Sequence, residues 1–223
     1  MKMVENETHN KTTLNKTIKI EYNKKASSSC CLSCGGALEL AKVKPNEIII
    51  DLGSGRGAEV FKASEITGKN GFVYGVDFTD EMLNTAERTR EKLNLSNIEF
   101  IKSDISEIPL KNEIADVVIS NCVINHAPDK QKVFKEIFRV LKSNGRFVVS
   151  DVIADTELPD EVKLNPEAWA KCYGGAITKE EYFNAVANAG FNNIEVLEES
   201  LPYEKGEVLV KSITIRSIKK EKI

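Results

Sequence analysis

The residues with the most chemistry in this sequence form two sets: acids that accompany glycines, and cysteines. Ile48-Ile49-Ile50-Asp51-Leu52-Gly53-Ser54-Gly55-Arg56-Gly57 runs from an apolar stretch into an acid and three alternating glycines. Glycines here let the chain turn tightly and let its backbone come close to a ligand. A helix beginning at Ala58 would add free N–H groups and the positive end of its dipole. Asp77 and Asp104 close two later apolar stretches. In an open parallel sheet, ligands sit beyond the carboxyl ends of the strands, so Asp51, Asp77 and Asp104 converge on one crevice. An acid ending the second strand is suited to a ribose diol. The third glycine comes one residue too early for the dinucleotide pattern G-x-G-x-x-G, which argues against NAD.

The cysteines are Cys30, Cys31, Cys34, Cys122 and Cys172. An odd number without a secretory signal points to thiols rather than a disulfide framework. Cys30, Cys31 and Cys34 form a C-x₂-C pair with an extra neighbour; lacking a second pair, they make a poor structural zinc site. Cys122 falls just past the fourth expected strand, in Ser120-Asn121-Cys122-Val123-Ile124-Asn125-His126. Cys172 lies in a glycine-containing break, Cys172-Tyr173-Gly174-Gly175. A lone buried thiol often serves only as a small apolar filler, and for Cys122 taken alone that reading stands beside the ligand reading.

These residues need a scaffold, and the hydrophobic pattern supplies one. Strands are expected over residues 47–52, 71–77, 97–103, 115–120 and 146–152, with helices between them. Asp80 is placed as the N-cap of the helix carrying Met82, Leu83 and Ala86, and Asn144-Gly145 as the end of the one carrying Val133, Phe134, Ile137, Phe138 and Leu141. Alternating strands and helices mean βαβ units and a parallel sheet covered on both faces. After Asp151 the rhythm changes: residues 158–170 read as a helix, Thr178 and Glu181 as a capping box, and residues 194–197 and 208–215 as antiparallel strands near an edge. Residues 17–23 alternate apolar and polar, the pattern of a short strand or arm.

The chain has 223 residues and a formal net charge of -3, which disfavours nucleic acid as its main partner. No apolar run approaches the length needed to span a bilayer, and the polar first 22 residues lack a signal core. The expectation is therefore a cytoplasmic protein. Residues 1–25 read as a polar, partly disordered arm and 26–223 as one domain, with residues 155–180 as a helical insert over the substrate. Nothing in the sequence sets the oligomeric state.

Asp51-Leu-Gly-Ser-Gly-x-Gly57, Gly75-Val-Asp77, Ser103-Asp104-Ile105 and Leu141-Lys-x-x-Gly145-Arg146 together resemble the S-adenosylmethionine-dependent methyltransferases of the Rossmann-like class. That resemblance implies a seven-stranded, mostly parallel sheet with helices on both faces and an antiparallel last strand. Ser120-Asn-Cys-Val-Ile-Asn125, Trp169-Ala-Lys-Cys-Tyr-Gly-Gly-Ala-Ile-Thr178 and Gly75-Val-Asp-Phe-Thr-Asp-Glu-Met82 narrow it to the arsenite methyltransferase family. The implied cofactor is S-adenosyl-L-methionine, held by Asp51, Gly53, Gly55, Gly57, Asp77, Phe78, Met82, Asp104, Ile105, Asn121 and His126. Cys34, Cys122 and Cys172 are the implied arsenic-binding thiols, and arsenite or a thiol adduct of it the small-molecule substrate. Cys30 and Cys31 are candidates for delivering arsenic. Two other readings compete: methylation of an organic small molecule such as a quinol, and thiol-based metalloid binding on a methyltransferase scaffold. Family members carry a longer N-terminal segment with paired tyrosines and often a further C-terminal domain, whereas Tyr22 stands alone here.

Overall fold

A computed structural model describes residues 13–14, 16–23 and 35–221. The arm expected over the first residues, and Cys30, Cys31 and Cys34, lie outside the described residues, the arm apart from its stretch near Tyr22. Residues 13–14 and 16–23 are helical (α1), not the strand or arm that their alternation suggested. Leu14 and Ile18 are buried there, and a spacing of four residues places both on one helical face.

Eight strands form one sheet: β1 (Ile48–Leu52), β2 (Phe72–Asp77), β3 (Ile98–Lys102), β4 (Ala115–Asn121), β5 (Leu141–Ala154), β6 (Glu195–Glu199), β7 (Tyr203–Lys205) and β8 (Val208–Ile218). The order is β3-β2-β1-β4-β5-β8-β6, with β7 beside β8. Pairings from β3 to β5 are parallel, and those of β8 with β5, β6 and β7 antiparallel. The seven strands of the main order match the expected sheet; the short β7 is an addition. The strand order reverses between β1 and β4, and ligands bind beyond the carboxyl ends of strands at such a switch point.

β1 shows why both faces are covered. Ile50 and Leu52 pack with Phe134, Ile137, Phe147 and Tyr182 on one side, and Ile49 with Leu38, Val60 and Ala63 on the other. The covering helices are α2 (Ala37–Ala41), α3 (Ala58–Thr67), α4 (Asp80–Lys92), α5 (Lys130–Val140) and α8 (Lys179–Asn188). Between β5 and α8 lie α6 (Asp160–Lys163) and α7 (Pro166–Ala170). Arg146 clamps the lower end of the sheet: its guanidinium meets Glu47 at 2.7 and 2.9 Å and donates to the carbonyls of Ala41 and Lys42.

Three local expectations are corrected. Thr79, not Asp80, is the N-cap of α4; Asp80 is in the first turn, paired with Lys19 and Lys102. α5 ends at Val140, and β5 starts at Leu141 because Ala115 already pairs with Leu141 ahead of a register shift. The single helix expected over 158–170 is split: Asn165 accepts from Glu167 N and Pro166 opens a new helix, so α6 stops before it. The Thr178–Glu181 capping box is present in full.

Candidate active site

The carboxyl ends of β1, β2 and β4 open into a cavity of about 710 Å³. Its floor is the turn after β1. Gly53 N and Ser54 N both donate to Val76 O, at 2.8 and 3.1 Å, which folds the loop over the end of β2. Gly53 has φ +72°, and a Cβ there would meet the Val123 side chain at 2.5 Å. Gly55, at φ +52°, has open space where its Cβ would be, so its backbone is bare toward the cavity. Gly57 differs: it does not line the cavity, and a Cβ there would strike Phe100 and Phe61. Its role is to let α3 pack closely.

Asp51, Glu59 and Asp77 all line this cavity, and all are buried. Burial, then the charges of Glu59 and Asp77, push the Asp51 carboxyl well above the usual carboxylate range. Burial also raises Asp77, against hydrogen bonds that favour its charge; Gly55 N and Thr79 N donate to its two oxygens at 2.9 and 2.8 Å. Ser54 Oγ and Glu59 Oε2 are buried with no hydrogen-bond partner among the described residues. Three crowded carboxylates favour a cationic ligand with hydroxyl and amino groups, and they would repel a diphosphate.

A second cavity of about 250 Å³ shares Ile18, Phe78, Val123 and His126 with the first. Asp104 and Ile105 line it beside Ala127 and Pro128, with Asp129 and Lys132 also on its wall. Ser106 N and Oγ donate to Asp104 Oδ1 at 2.9 and 2.8 Å, which fixes that carboxylate. The eleven residues expected at the cofactor thus divide into nine that line the cavities and two that do not. Asp51, Gly53, Gly55, Asp77, Phe78, Asn121 and His126 line the large cavity, and Asp104 and Ile105 the small one. Gly57 is a packing glycine. Met82, the eleventh, is fully buried and lines neither cavity, because the apolar face of α4 turns it into the core.

The thiols open into the same large cavity as the acids. Cys122 and Cys172 both line it, although 50 residues separate them. Both have left-handed backbones, at φ +58° and +65°. For a residue with a Cβ this conformation costs of order 1–3 kcal/mol, and it clusters where function requires a fixed side chain. Cys122 N is held by Ser150 O at 2.8 Å, and Cys172 N by Trp169 O at 2.8 Å. Asn125 ties the two regions together, its Nδ2 donating to Val152 O at 2.6 Å and to Cys172 O at 3.4 Å. Gly175 permits this approach: a Cβ there would fall 2.0 Å from Asn125 O. Cys122 also lines a third cavity, of about 420 Å³, with Ser150, Asp151 and Thr214.

Gly35 lines both cavities that Cys122 reaches, packed so closely on Ser150 and Asn121 that a Cβ would clash with each. It is the neighbour in sequence of Cys34, which lies outside the described residues.

Several residues of the site escaped the sequence reading. Tyr22 lines the large cavity from α1, and its hydroxyl lies 3.0 Å from His126 Nε2 and 3.3 Å from Cys172 Sγ. Glu59 and Lys62 line it from the start of α3, where a first-turn acid reads as an ordinary helix-dipole partner. Beneath Cys122 lies a buried group of Asp151, Lys130 and Tyr182. Tyr182 Oη donates to Asp151 Oδ2 at 3.3 Å. Burial raises Asp151 to about 6 and lowers Lys130 to about 8. Among the described residues, no cluster of three or more His, Cys, Asp or Glu could hold a metal ion, and no helix is long and apolar enough to cross a membrane.

The chain resembles known proteins throughout this region. Residues 43–190 match the family model described as a methyltransferase domain. An arsenite methyltransferase of Halobacterium salinarum is 39% identical over 165 residues, covering 74% of this chain and 42% of that protein. The arsenite methyltransferase of Homo sapiens is 36% identical over 191 residues, covering 78% and 51%. The chain therefore spans about half the length of the curated relatives it matches. The crystal structure of an arsenic(III) S-adenosylmethionine methyltransferase from Chlamydomonas reinhardtii superposes with a TM-score of 0.73 at 30% identity, covering 89% of this chain and 74% of that one.

Proposed function

The chain belongs to the arsenite S-adenosylmethionine methyltransferase family, and from that premise we propose that it methylates trivalent arsenic held on three thiolates, Cys34, Cys122 and Cys172. The observation that carries this reading is the opening of two strained cysteines into the same cavity as three buried carboxylates. Soft thiolates suit soft trivalent arsenic, whereas a quinol would call for a base and a flat apolar slot at that end.

The residues fit S-adenosyl-L-methionine, which supplies an activated methyl group when bound. Asp77 would accept from the ribose hydroxyls. Asp104 and the Ile105 backbone would read the adenine amino group in the smaller slot. Asp51 and Glu59 would face the amino-acid end, where an ammonium group satisfies the orphaned Glu59 oxygen. Gly53 and Gly55 let the backbone pass beneath. Met82 is left out of this set, and Gly57 acts on it only through packing.

The thiolates set the geometry of the arsenic. Three sulfur ligands leave pyramidal arsenic with one lone pair, and no proton has to leave arsenic for methyl transfer. The chain's task is therefore positioning and exclusion of water. The segment 155–180 carries Cys172 and forms the cover over the substrate, within a single domain spanning 26–223. A small-molecule substrate and a cytoplasmic location accompany this reading.

Mass spectrometry of arsenicals after incubation with arsenite, a thiol and S-adenosylmethionine tests it. Methylated arsenic is the expected product. A preparation that binds the cofactor and makes none would contradict the assignment, and methylation of an added quinol instead would favour the organic-substrate reading.

A further inference from the structure

The large cavity holds one constellation that cofactor binding does not explain. His126 Nε2 is 3.0 Å from Tyr22 Oη and 3.3 Å from Cys172 Sγ, and Tyr22 Oη is 3.3 Å from the same sulfur. The three side chains come from three separate elements: α1, the 3₁₀ turn Ile124–His126 and the loop after α7. The Tyr22 ring meets the His126 ring edge-on, at 5.4 Å and 85°. The backbone around them is fixed by Asn125, which bonds the Cys172 carbonyl from the position next to His126. All three line the cavity, so substrate arriving there meets sulfur, imidazole and phenol together.

Arsenous acid carries hydroxyl groups, and a cysteine must replace one of them for each As–S bond. In that exchange the S–H and As–O bonds break, the S–As bond forms, and the thiol proton leaves with the hydroxyl as water. Arsenic stays trivalent and nothing is oxidised or reduced. A neutral thiol is the weaker nucleophile and hydroxide a poor leaving group. One imidazole answers both difficulties by taking the proton from sulfur and giving it to oxygen.

Resting on the arsenite reading above, we propose that His126 is a catalytic residue for arsenic loading. It receives the Cys172 thiol proton at Nε2 and delivers it to the departing hydroxyl group. Tyr22 is the positioning residue, its hydroxyl in contact with both the imidazole and the sulfur. This moves His126 from the cofactor, where the sequence placed it, to the substrate.

Loading can be followed without methyl transfer. Trp169 is the only tryptophan, and its carbonyl accepts from Cys172 N, so its fluorescence reports arsenite binding in a stopped-flow experiment without S-adenosylmethionine. His126→Ala should load arsenite about a hundred-fold more slowly, the lower side of what proton transfer contributes, with an unchanged final arsenic content. Added imidazole should restore much of the rate. His126→Gln, which keeps the side-chain bulk, should show the same slowing, and Tyr22→Phe a smaller one of about two- to three-fold. An unchanged rate in both His126 variants would overturn the proposal. So would a slowing of His126→Ala that imidazole does not relieve, which would mark a structural role. If the wild-type protein takes up no arsenic at all, the arsenite reading fails first and this role falls with it.

Discussion

The two sides of the large cavity are built in opposite ways. The acidic side draws on the ends of β1 and β2 and the first turn of α3, so Asp51 through Glu59 come from one short run, with Asp77 close behind. The thiol side collects Tyr22, Cys122, His126 and Cys172 from positions spread over 150 residues. The acidic side is fixed by a sheet and a tight turn, and burial, then neighbouring charge, raises its Asp51 carboxyl. The thiol side is fixed by strained backbone, glycine contacts and a single asparagine. Binding a cationic cofactor needs the first kind of construction. Presenting sulfur atoms at fixed angles needs the second.

Breaking either side should spare the other. The largest effect is expected at the thiols: Cys122→Ser or Cys172→Ser should abolish arsenic methylation, read by mass spectrometry, while calorimetry finds cofactor affinity within about two-fold of wild type, a change under roughly 0.5 kcal/mol. Full activity in either variant would remove that cysteine from the ligand set. Next, Asp77→Ala should weaken cofactor binding by ten-fold or more, since a charge-assisted hydrogen bond contributes about 1.5–3 kcal/mol. Arsenite uptake by the same variant should be unaffected; a matching loss there would mean that the two sides are not independent.

Gly175→Ala should lower stability by about 1–3 kcal/mol, because its methyl group would push into Asn125 O and the Trp169 ring. Thermal unfolding measures this, and a melting temperature equal to wild type would show that the loop shifts without cost. The last effect, confined to a change with pH, concerns Asp151 beneath Cys122. Its pKa is raised to about 6 in the folded protein, against about 3.9 unfolded. A raised carboxyl stabilises the fold when protonated, so its contribution is full below about pH 4 and lost as pH rises to about 6. The shift corresponds to about 3 kcal/mol at most. Asp151→Asn should flatten the fall in stability between those limits, and an unaltered pH profile would contradict the burial argument.

The same contrast explains what could be read without a structure. The acidic side was legible because its residues follow strand ends, and the period of the sheet forces them to one edge. Asp51, Asp77 and Asp104 line the cavities for that reason. Met82 lines neither, because a motif says which residues are near a site but not which way a helix turns them. Tyr22 was missed because the alternation around it imitates a strand, whereas burial of Leu14 and Ile18 makes it a helix facing the cavity. His126 was found, but not its contact with Cys172, which lies 46 residues on and which no local pattern encodes. The positive φ of both cysteines was likewise invisible, since neither position is a glycine that would announce it.

The central claim is that three sulfur atoms from separate segments hold one arsenic atom at this cavity. X-ray absorption of the arsenic-loaded protein, freed of added thiol, measures the ligands directly. The account predicts three sulfur neighbours and no oxygen in the wild type, with one sulfur lost in Cys172→Ser. An arsenic atom bound by oxygen, or a sulfur shell that Cys172→Ser leaves intact, would contradict it.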